Sequence, residues 1–255
     1  MATVLDTLQN LVRINSVHPF DERGPGEGAL ANWIEAFMVG HDIPVERQTV
    51  FPGRDNILAR LPGRDRSRTL VLEAHMDTVS VNGMSIDPFD PVIRDGRLSG
   101  RGACDTKAGL AAMMHALIEL KTARIAPPCD VLLAAVVDEE YSYRGVVRLC
   151  EGLQAEAAIV AEPTELRAVI ASKGVLRWII ETRGKAAHSS KPHLGINAIQ
   201  HMRRVLEALE ADEARLATLT HPLVGQATCN VGVIRGGVQV NFVPHSCEIE
   251  LDRRL

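Results

Sequence analysis

An apolar run with a polar end, residues 69–79 (TLVLEAHMDTV), limits the possible folds more than any other stretch of the sequence. Its aliphatic and β-branched residues are typical of a buried strand, which breaks toward Asn82-Gly83. Side chains two positions apart share a face of a strand, so His75 and Asp77 are expected to point the same way. The aspartate could fix an imidazole that binds a metal, or satisfy a histidine of the core, and this stretch alone favours neither.

Composition narrows the classes of partner. The 255 residues, 46% of them hydrophobic, supply enough apolar area for one large domain or two ordinary ones. A net charge of −4 gives no electrostatic reason to expect nucleic acid or an anionic membrane surface as a partner. No segment approaches the roughly 20 apolar residues that cross a bilayer. The first residues also lack the basic-then-apolar order of a signal peptide.

The five cysteines are scattered, odd in number and without a CxxC pair: Cys104, Cys129, Cys150, Cys229 and Cys247. This pattern favours reduced thiols in a cytoplasmic protein over a disulfide framework or a cysteine zinc site. Cys104 precedes an aspartate of interest, and it suits either a small residue in a tight loop or a ligand.

Two domains are expected from the order of elements. Strands alternate with helices over residues 1–170, which predicts an α/β domain with a largely parallel sheet. Residues 88–102, rich in Pro, Asp and Gly, are expected to form a loop, and a helix is predicted over 106–120. Over residues 171–255 the order becomes strand, helix, strand, strand, with the helix predicted at 194–209 and the last strand at 241–251. That order indicates a separate, incomplete α+β domain.

Acidic and imidazole groups recur where predicted strands end or a helix begins: His75 and Asp77, Asp105, Glu139 and Glu140, and Glu162. The carboxyl ends of strands in α/β sheets are where ligands bind, and carboxylates that converge there repel one another unless a cation neutralises them. Oxygen and nitrogen ligands without thiolates suit Zn²⁺, with Co²⁺ or Mn²⁺ as substitutes. Taken singly, each acid also suits a structural role such as an N-cap or a turn.

Several motifs occur in a fixed order along the chain. They are residues 73–79 (EAHMDTV), 100–109 (GRGACDTKAG), 138–140 (DEE), 161–164 (AEPT), 188–192 (HSSKP), 195–198 (GINA), 236–237 (GG), Asn241 and 252–254 (DRR). In this order the set resembles the M20 metallopeptidases, which include acetylornithine deacetylases, succinyl-diaminopimelate desuccinylases, aminoacylases and carboxypeptidase G2-like enzymes.

The resemblance implies a zinc-peptidase-like catalytic domain with a mostly parallel mixed sheet and an inserted, ferredoxin-like α+β lid and dimerisation domain, incomplete here. It also implies two zinc ions bridged by Asp105. His75 and Glu162 would complete the protein ligands of one ion, and Glu140 would bind the other. Asp77 would orient His75, and the peptide bond that follows Asp105 would be cis.

The same resemblance assigns the catalytic and substrate-binding roles. Glu139 would be the general base and acid, which moves a proton from a metal-bridging water to the leaving nitrogen. His188 would reach the active site of a neighbouring subunit in a homodimer and stabilise the oxyanion. Asn241, Arg254 and Lys173 would contact a small N-acyl amino acid or peptide substrate. The other histidines have no partner motif and are interpreted as structural or exposed: His18, His41, His115, His193, His201, His221 and His245.

The chain departs from the family in one respect. In the family the catalytic domain resumes after the lid and supplies a last metal-binding histidine, for which this sequence has no matching stretch. Two interpretations therefore remain. One is a zinc-dependent hydrolase of amide bonds, seen here in its N-terminal part. The other is a non-catalytic fragment that serves as a dimerising module with a partial metal site.

Overall fold

A computed structural model describes residues 2–20 and 24–255, which fall into two compact units, Met1–Leu166 and Arg167–Leu255. The helices are α1 (Val4–Arg13), α2 (Gly28–Val39), α3 (Ala108–Thr122), α4 (Arg144–Cys150) and α5 (Ala198–Leu216). The strands are β1 (Val45–Phe51), β2 (Arg54–Leu61), β3 (Asp65–His75), β4 (Val92–Arg94), β5 (Arg97–Ser99), β6 (Cys129–Val136), β7 (Ala157–Val160), β8 (Val175–Arg183), β9 (Thr220–His221), β10 (Gly225–Gln226), β11 (Thr228–Gly236) and β12 (Ser246–Arg254). No helix among these residues is long and apolar enough to cross a membrane.

The first unit is built on a five-stranded sheet in the order β1-β2-β6-β3-β7. Strand β3 runs parallel to β6 and β7, and only β2 opposes the common direction. The predicted α/β fold with a mostly parallel mixed sheet is therefore confirmed. His75 pairs with Val136, and Glu73 with Val160, so β3, β6 and β7 end at the same edge of the sheet. That edge receives the acidic segments that follow each strand.

From Thr69 onward strand β3 is buried on both faces, which explains the largely apolar sequence of residues 69–74. Leu72, Ala74 and Met76 belong to the core that the sheet forms with α1, α2 and α3. Val71 belongs to a smaller core on the opposite face, where Leu149 of α4 packs. Helices packed on both faces of the sheet therefore hold β3 in place, and this packing fixes the position of His75 at its end.

The segment between β3 and α3 differs from the prediction in two ways. The expected loop at 88–102 contains the hairpin β4–β5, whose turn residues Asp95 and Gly96 have φ angles of 51° and 73°. Two left-handed residues match the twist of a two-residue hairpin turn. The helix predicted from Thr106 begins at Ala108, because Ala103–Lys107 forms an irregular turn with non-helical backbone at Asp105 and Thr106. The Asp105–Thr106 peptide bond is cis, as the resemblance implies.

The second unit contains a three-stranded antiparallel sheet, β11-β12-β8, covered by α5. The predicted order of strand, helix, strand, strand is present, with two corrections. Helix α5 begins at Ala198 rather than at 194, because the Asn197 side chain accepts the Gln200 amide and caps it there. The last strand begins at Ser246 rather than at 241, after a loop.

Candidate metal centre

His75, the last residue of β3, is 2% exposed and hydrogen-bonded at both ring nitrogens. Nδ1 lies 2.9 Å from the backbone carbonyl oxygen of Asp77, and a carbonyl oxygen can only accept a hydrogen bond. Nδ1 therefore carries hydrogen, and Nε2 faces Asp105 Oδ1 at 3.0 Å. A histidine whose second nitrogen is held by a carbonyl is oriented as metal-binding histidines usually are.

Two groups of possible ligands share this imidazole. In each group, one ligand atom per residue lies within 4.8 Å of the others: His75, Asp105 and Glu162 in one, and His75, Glu139 and Glu140 in the other. The structure thus brings together all four expected metal ligands and the expected base. One imidazole with several carboxylates is a donor set that Zn²⁺ accepts, so these residues fit the implied ion.

The electrostatics of the cluster indicate crowded negative charge. Burial opposes charge on His75, but the hydrogen bond to Asp105 and the surrounding carboxylates raise the pKa of His75 to about 10. Burial raises the pKa of Glu140 to about 7, with nearby carboxylates adding to the effect, and it raises the pKa of Glu162. The hydrogen bond to His75 lowers the pKa of Asp105. A cation would offset the cost of burying these carboxylates in their charged form and reduce their mutual repulsion.

Asp77 links the end of β3 to the acid turn, which we define as residues 138–144. Its buried carboxylate accepts the backbone amides of Glu139 at 3.1 Å and Glu140 at 3.0 Å. Burial raises the pKa of this carboxyl group. Its Oδ1 also lies 3.7 Å from His75 Nδ1, within ion-pair distance. Asp77 thus holds the imidazole by its carbonyl and the acid turn by its carboxylate.

The turn that carries Asp105 is tied to its surroundings by residues to which the sequence assigned no role. Thr106 Oγ1 donates a 2.6 Å hydrogen bond to the carbonyl of Ala161, the residue before Glu162. Lys107 is fully buried, and its Nζ donates to the Leu11 and Ile14 carbonyls at the end of α1, at 3.0 and 2.9 Å. Burial lowers the pKa of Lys107 to about 7. In the sequence, only the position of Thr106 and Lys107 within the 100–109 motif indicates that they contribute to the site.

The other four predicted site residues lie in the second unit. His188 is exposed, and its Nδ1 lies 2.8 Å from the Ser190 hydroxyl. The amide of Ser189 donates to the Asn241 carbonyl at 2.9 Å, so the loops of His188 and Asn241 are adjacent.

Arg254 and Lys173 are engaged by local acceptors. Arg254 donates from Nε and Nη2 to the two carboxylate oxygens of Asp252, at 2.7 and 3.2 Å. Lys173 Nζ donates to the carbonyl of Gln226. Both cations therefore already have partners within the second unit.

Comparison with known proteins adds a decisive observation. A sequence model described as "Peptidase family M20/M25/M40" matches residues 71–252. The chain belongs to this family. This M20 chain is 38% identical over 237 residues to an acetylornithine deacetylase of Myxococcus xanthus, covering 88% of its own length and 61% of the relative. It is 30% identical over 257 residues to a peptidase M20 domain-containing protein of Schizosaccharomyces pombe, covering 98% of its own length and 61% of that protein.

The fold of the M20 chain also matches solved structures. An M20 family metallo-carboxypeptidase from Sulfolobus solfataricus is 20% identical, with a TM-score of 0.77 over 100% of this chain and 71% of the other. The match to the family model confirms the family assignment made from ordered motifs, and this structural likeness confirms the mixed α/β fold with its mostly parallel sheet. The M20 chain spans 61% of the length of each of the two relatives described above.

Proposed function

We propose that this chain is the metal-binding part of a hydrolase that cleaves an amide bond in an N-acyl amino acid or a short peptide. The observation that carries the proposal is the convergence of His75, Asp105, Glu139, Glu140 and Glu162 at one edge of the sheet. In this proposal His75 and Glu162 would hold one Zn²⁺, Glu140 would hold a second, and Asp105 would be shared between them. The similarity to an acetylornithine deacetylase supports the class of substrate.

Bound zinc would polarise the substrate carbonyl and lower the pKa of a coordinated water toward ~7. The protein's own part is the proton transfer. A carboxylate oxygen of Glu139 lies within 4.8 Å of ligand atoms of His75 and Glu140, and its backbone amide donates to Asp77, so the acid is held beside the proposed metal ligands. It accepts a proton from the attacking water and delivers it to the leaving nitrogen. Asp77 keeps His75 and the acid turn in fixed positions relative to each other while Glu139 accepts and then delivers the proton.

The second unit is proposed as the lid and dimerisation domain of a cytoplasmic homodimer. There His188 stabilises the oxyanion in a neighbouring subunit, and Asn241, Arg254 and Lys173 contact the substrate. A guanidinium that already binds the carboxylate of Asp252 through two nitrogens has the geometry needed to bind a substrate carboxylate instead.

The test uses Glu139→Gln, with Glu119→Gln on the exposed side of α3 as the matched control. Both variants and the unmodified chain receive Zn²⁺ or Co²⁺ and a panel of N-acetylornithine, N-succinyl-diaminopimelate, other N-acyl amino acids and dipeptides. We expect Glu139→Gln to bind cobalt normally and to lose turnover by about a hundredfold or more, because only the base is removed. Turnover that survives this substitution excludes Glu139 as the base. Absence of cobalt binding by the unmodified chain excludes the metal centre.

We also propose a second candidate function, a dimerising module with a partial metal site, which is supported by the separate ligand group of His75, Asp105 and Glu162. If the chain binds cobalt and self-associates but turns over no member of the panel, it is a dimerising module with a partial metal site. Analytical ultracentrifugation with the same cobalt titration separates this outcome from the hydrolase.

A further inference from the structure

The acid turn is built around Asp138, the residue before the proposed base. Asp138 is fully buried and has a φ angle of 69°, a left-handed conformation that residues other than glycine seldom adopt. Its carbonyl oxygen accepts the amides of Ser142 at 3.3 Å and Tyr143 at 2.7 Å. The backbone of Asp138 thus closes the loop that presents Glu139 and Glu140.

Both carboxylate oxygens of Asp138 are also used. Oδ1 accepts from His18 Nε2 at 2.7 Å and from Arg54 Nη2 at 3.3 Å. Oδ2 accepts from the Ser142 hydroxyl and from the Arg144 amide, the latter at 3.2 Å. These bonds attach the acid turn to the strand β2 and to the segment after α1. The orientation of the turn is therefore set by distant parts of the first unit.

Arg54 joins Asp138 to a second buried acid. Its Nε and Nη2 donate to the two oxygens of Glu27, each at 2.7 Å, and Glu27 Oε1 accepts the Asp138 amide at 3.1 Å. Glu27 is fully buried, and the Arg54 side chain is 12% exposed. Ligand atoms of His18, Glu27 and Asp77 lie within 4.8 Å of one another, as a metal site requires. Here the guanidinium supplies the positive charge that these acids need.

His18 completes the set as a neutral donor. The Phe20 amide donates to His18 Nδ1 at 3.3 Å, so Nε2 carries the hydrogen that goes to Asp138. The imidazole stacks on Tyr141 of the acid turn, with centroids 5.2 Å apart and planes at 22°. The His18 amide donates to the carbonyl of Thr78, just after β3, at 2.9 Å. One residue thereby connects the end of β3, which carries His75, to the acid turn, which carries Glu139 and Glu140.

We propose that His18, Glu27, Arg54 and Asp138 form a positioning network that aims the carboxylates of Glu139 and Glu140 into the metal centre. The inference rests on the proposed function for its purpose, but its structural part concerns the acid turn alone. Buried ion pairs are often replaceable by apolar side chains with little loss of stability. A network of three buried polar side chains and one largely buried guanidinium, centred on a left-handed residue, is therefore better explained by orientation than by stability.

The experiment compares two network variants with two matched controls. Asp138→Asn and Arg54→Met remove one charge each from the network. Asp130→Asn and Arg60→Met do the same at the start of β6, where the buried Asp130 accepts from the Gly63 amide at 2.8 Å and from Arg60 at 3.3 Å. Exchange of the Glu139 and Glu140 amides is measured by NMR in metal-free protein, and cobalt affinity is measured by its absorption spectrum.

We expect Asp138→Asn and Arg54→Met to accelerate exchange at Glu139 and Glu140 by about tenfold or more, since those amides depend on the turn for protection. Cobalt affinity should fall by a similar factor, and Arg54→Lys should restore part of it. The controls should lower only the midpoint of urea unfolding. Should Asp138→Asn fail to fold, Glu27→Gln replaces it.

Exchange and cobalt affinity that match the unmodified chain would overturn the network. If the unmodified chain binds no cobalt, the proposed function fails. The exchange measurement still decides the network in that case, because it needs no metal.

Discussion

Glu140, a proposed metal ligand, has a charged form that lowers the stability of the metal-free protein. Burial, followed by the charges of Asp105 and Glu139, raises its pKa to about 7 from the ordinary 4.5. The folded chain therefore holds this proton more tightly than the unfolded chain does. The contribution of Glu140 to the stability of the metal-free protein accordingly falls as the pH rises from 4.5 to about 7, and the loss of that contribution is complete above that range.

Replacing this carboxylate with a neutral isostere should remove the penalty. We expect Glu140→Gln to raise the free energy of unfolding of metal-free protein by about 1–2 kcal/mol at about pH 8, and to change it little near about pH 4. The measurement is urea denaturation with a chelator, with the exposed Glu46→Gln as the control. A variant that is less stable than the unmodified chain at the higher pH would show that Glu140 is favourably solvated.

Short, local motifs identify the site residues that lie within them, but not the residues that contact them from distant parts of the sequence. His75, Asp105 and Glu162 each stand at a predictable strand or helix boundary. His18 and Arg54 reach Asp138 across 120 and 84 positions, and no local pattern announces those contacts. His18 was interpreted only as a structural or exposed histidine.

At the level of elements, the approach of α3 to the end of β7 sets the spacing between Asp105 and Glu162. Thr106 bonds to the Ala161 carbonyl, and a Cβ added to Gly109 would stand 2.4 Å from the Ala161 Cβ. Only a residue without a side chain allows the first turn of the helix to come this close.

Gly109→Ala therefore tests the packing of these two elements. In an exposed helix interior, alanine would stabilise by up to ~1 kcal/mol over glycine. Here the clash should reverse the sign and cost about 1–3 kcal/mol, and the displaced Ala161 should weaken cobalt binding. Urea denaturation and cobalt titration measure both effects, with Gly232→Ala as the control because its added Cβ meets only ordinary contacts. Stabilisation by Gly109→Ala would contradict the close approach.

Elements are predictable where an apolar pattern alone defines them: the sequence predicts strands at 157–160 and 175–183, and these bounds match β7 and β8. The predicted ends of elements differ from the observed ones where a side chain or a tertiary contact determines the boundary. The Asn197 cap moved the start of α5, and the irregular turn at Asp105 moved that of α3. The three-residue strands β4 and β5 carry too little apolar pattern to be found.

At the scale of the whole chain, each unit has its own core, and one of the two tryptophans packs against each core. Trp33 packs against the core of the first unit, and Trp178 packs against that of the second. All candidate metal ligands lie in the first unit. A ligand that binds only folded protein stabilises the part that contains its site.

Zinc should therefore stabilise the two units unequally. We expect the unfolding transition of Trp178→Phe, reported by Trp33, to move to higher urea when Zn²⁺ is added. The gain should be about 2.7 kcal/mol at a free concentration one hundred times Kd. The transition of Trp33→Phe, reported by Trp178, should stay in place, and Glu162→Gln should diminish the shift at Trp33. Equal shifts at both tryptophans would instead mean that the two units unfold as one cooperative body, with metal binding in the first unit stabilising the second.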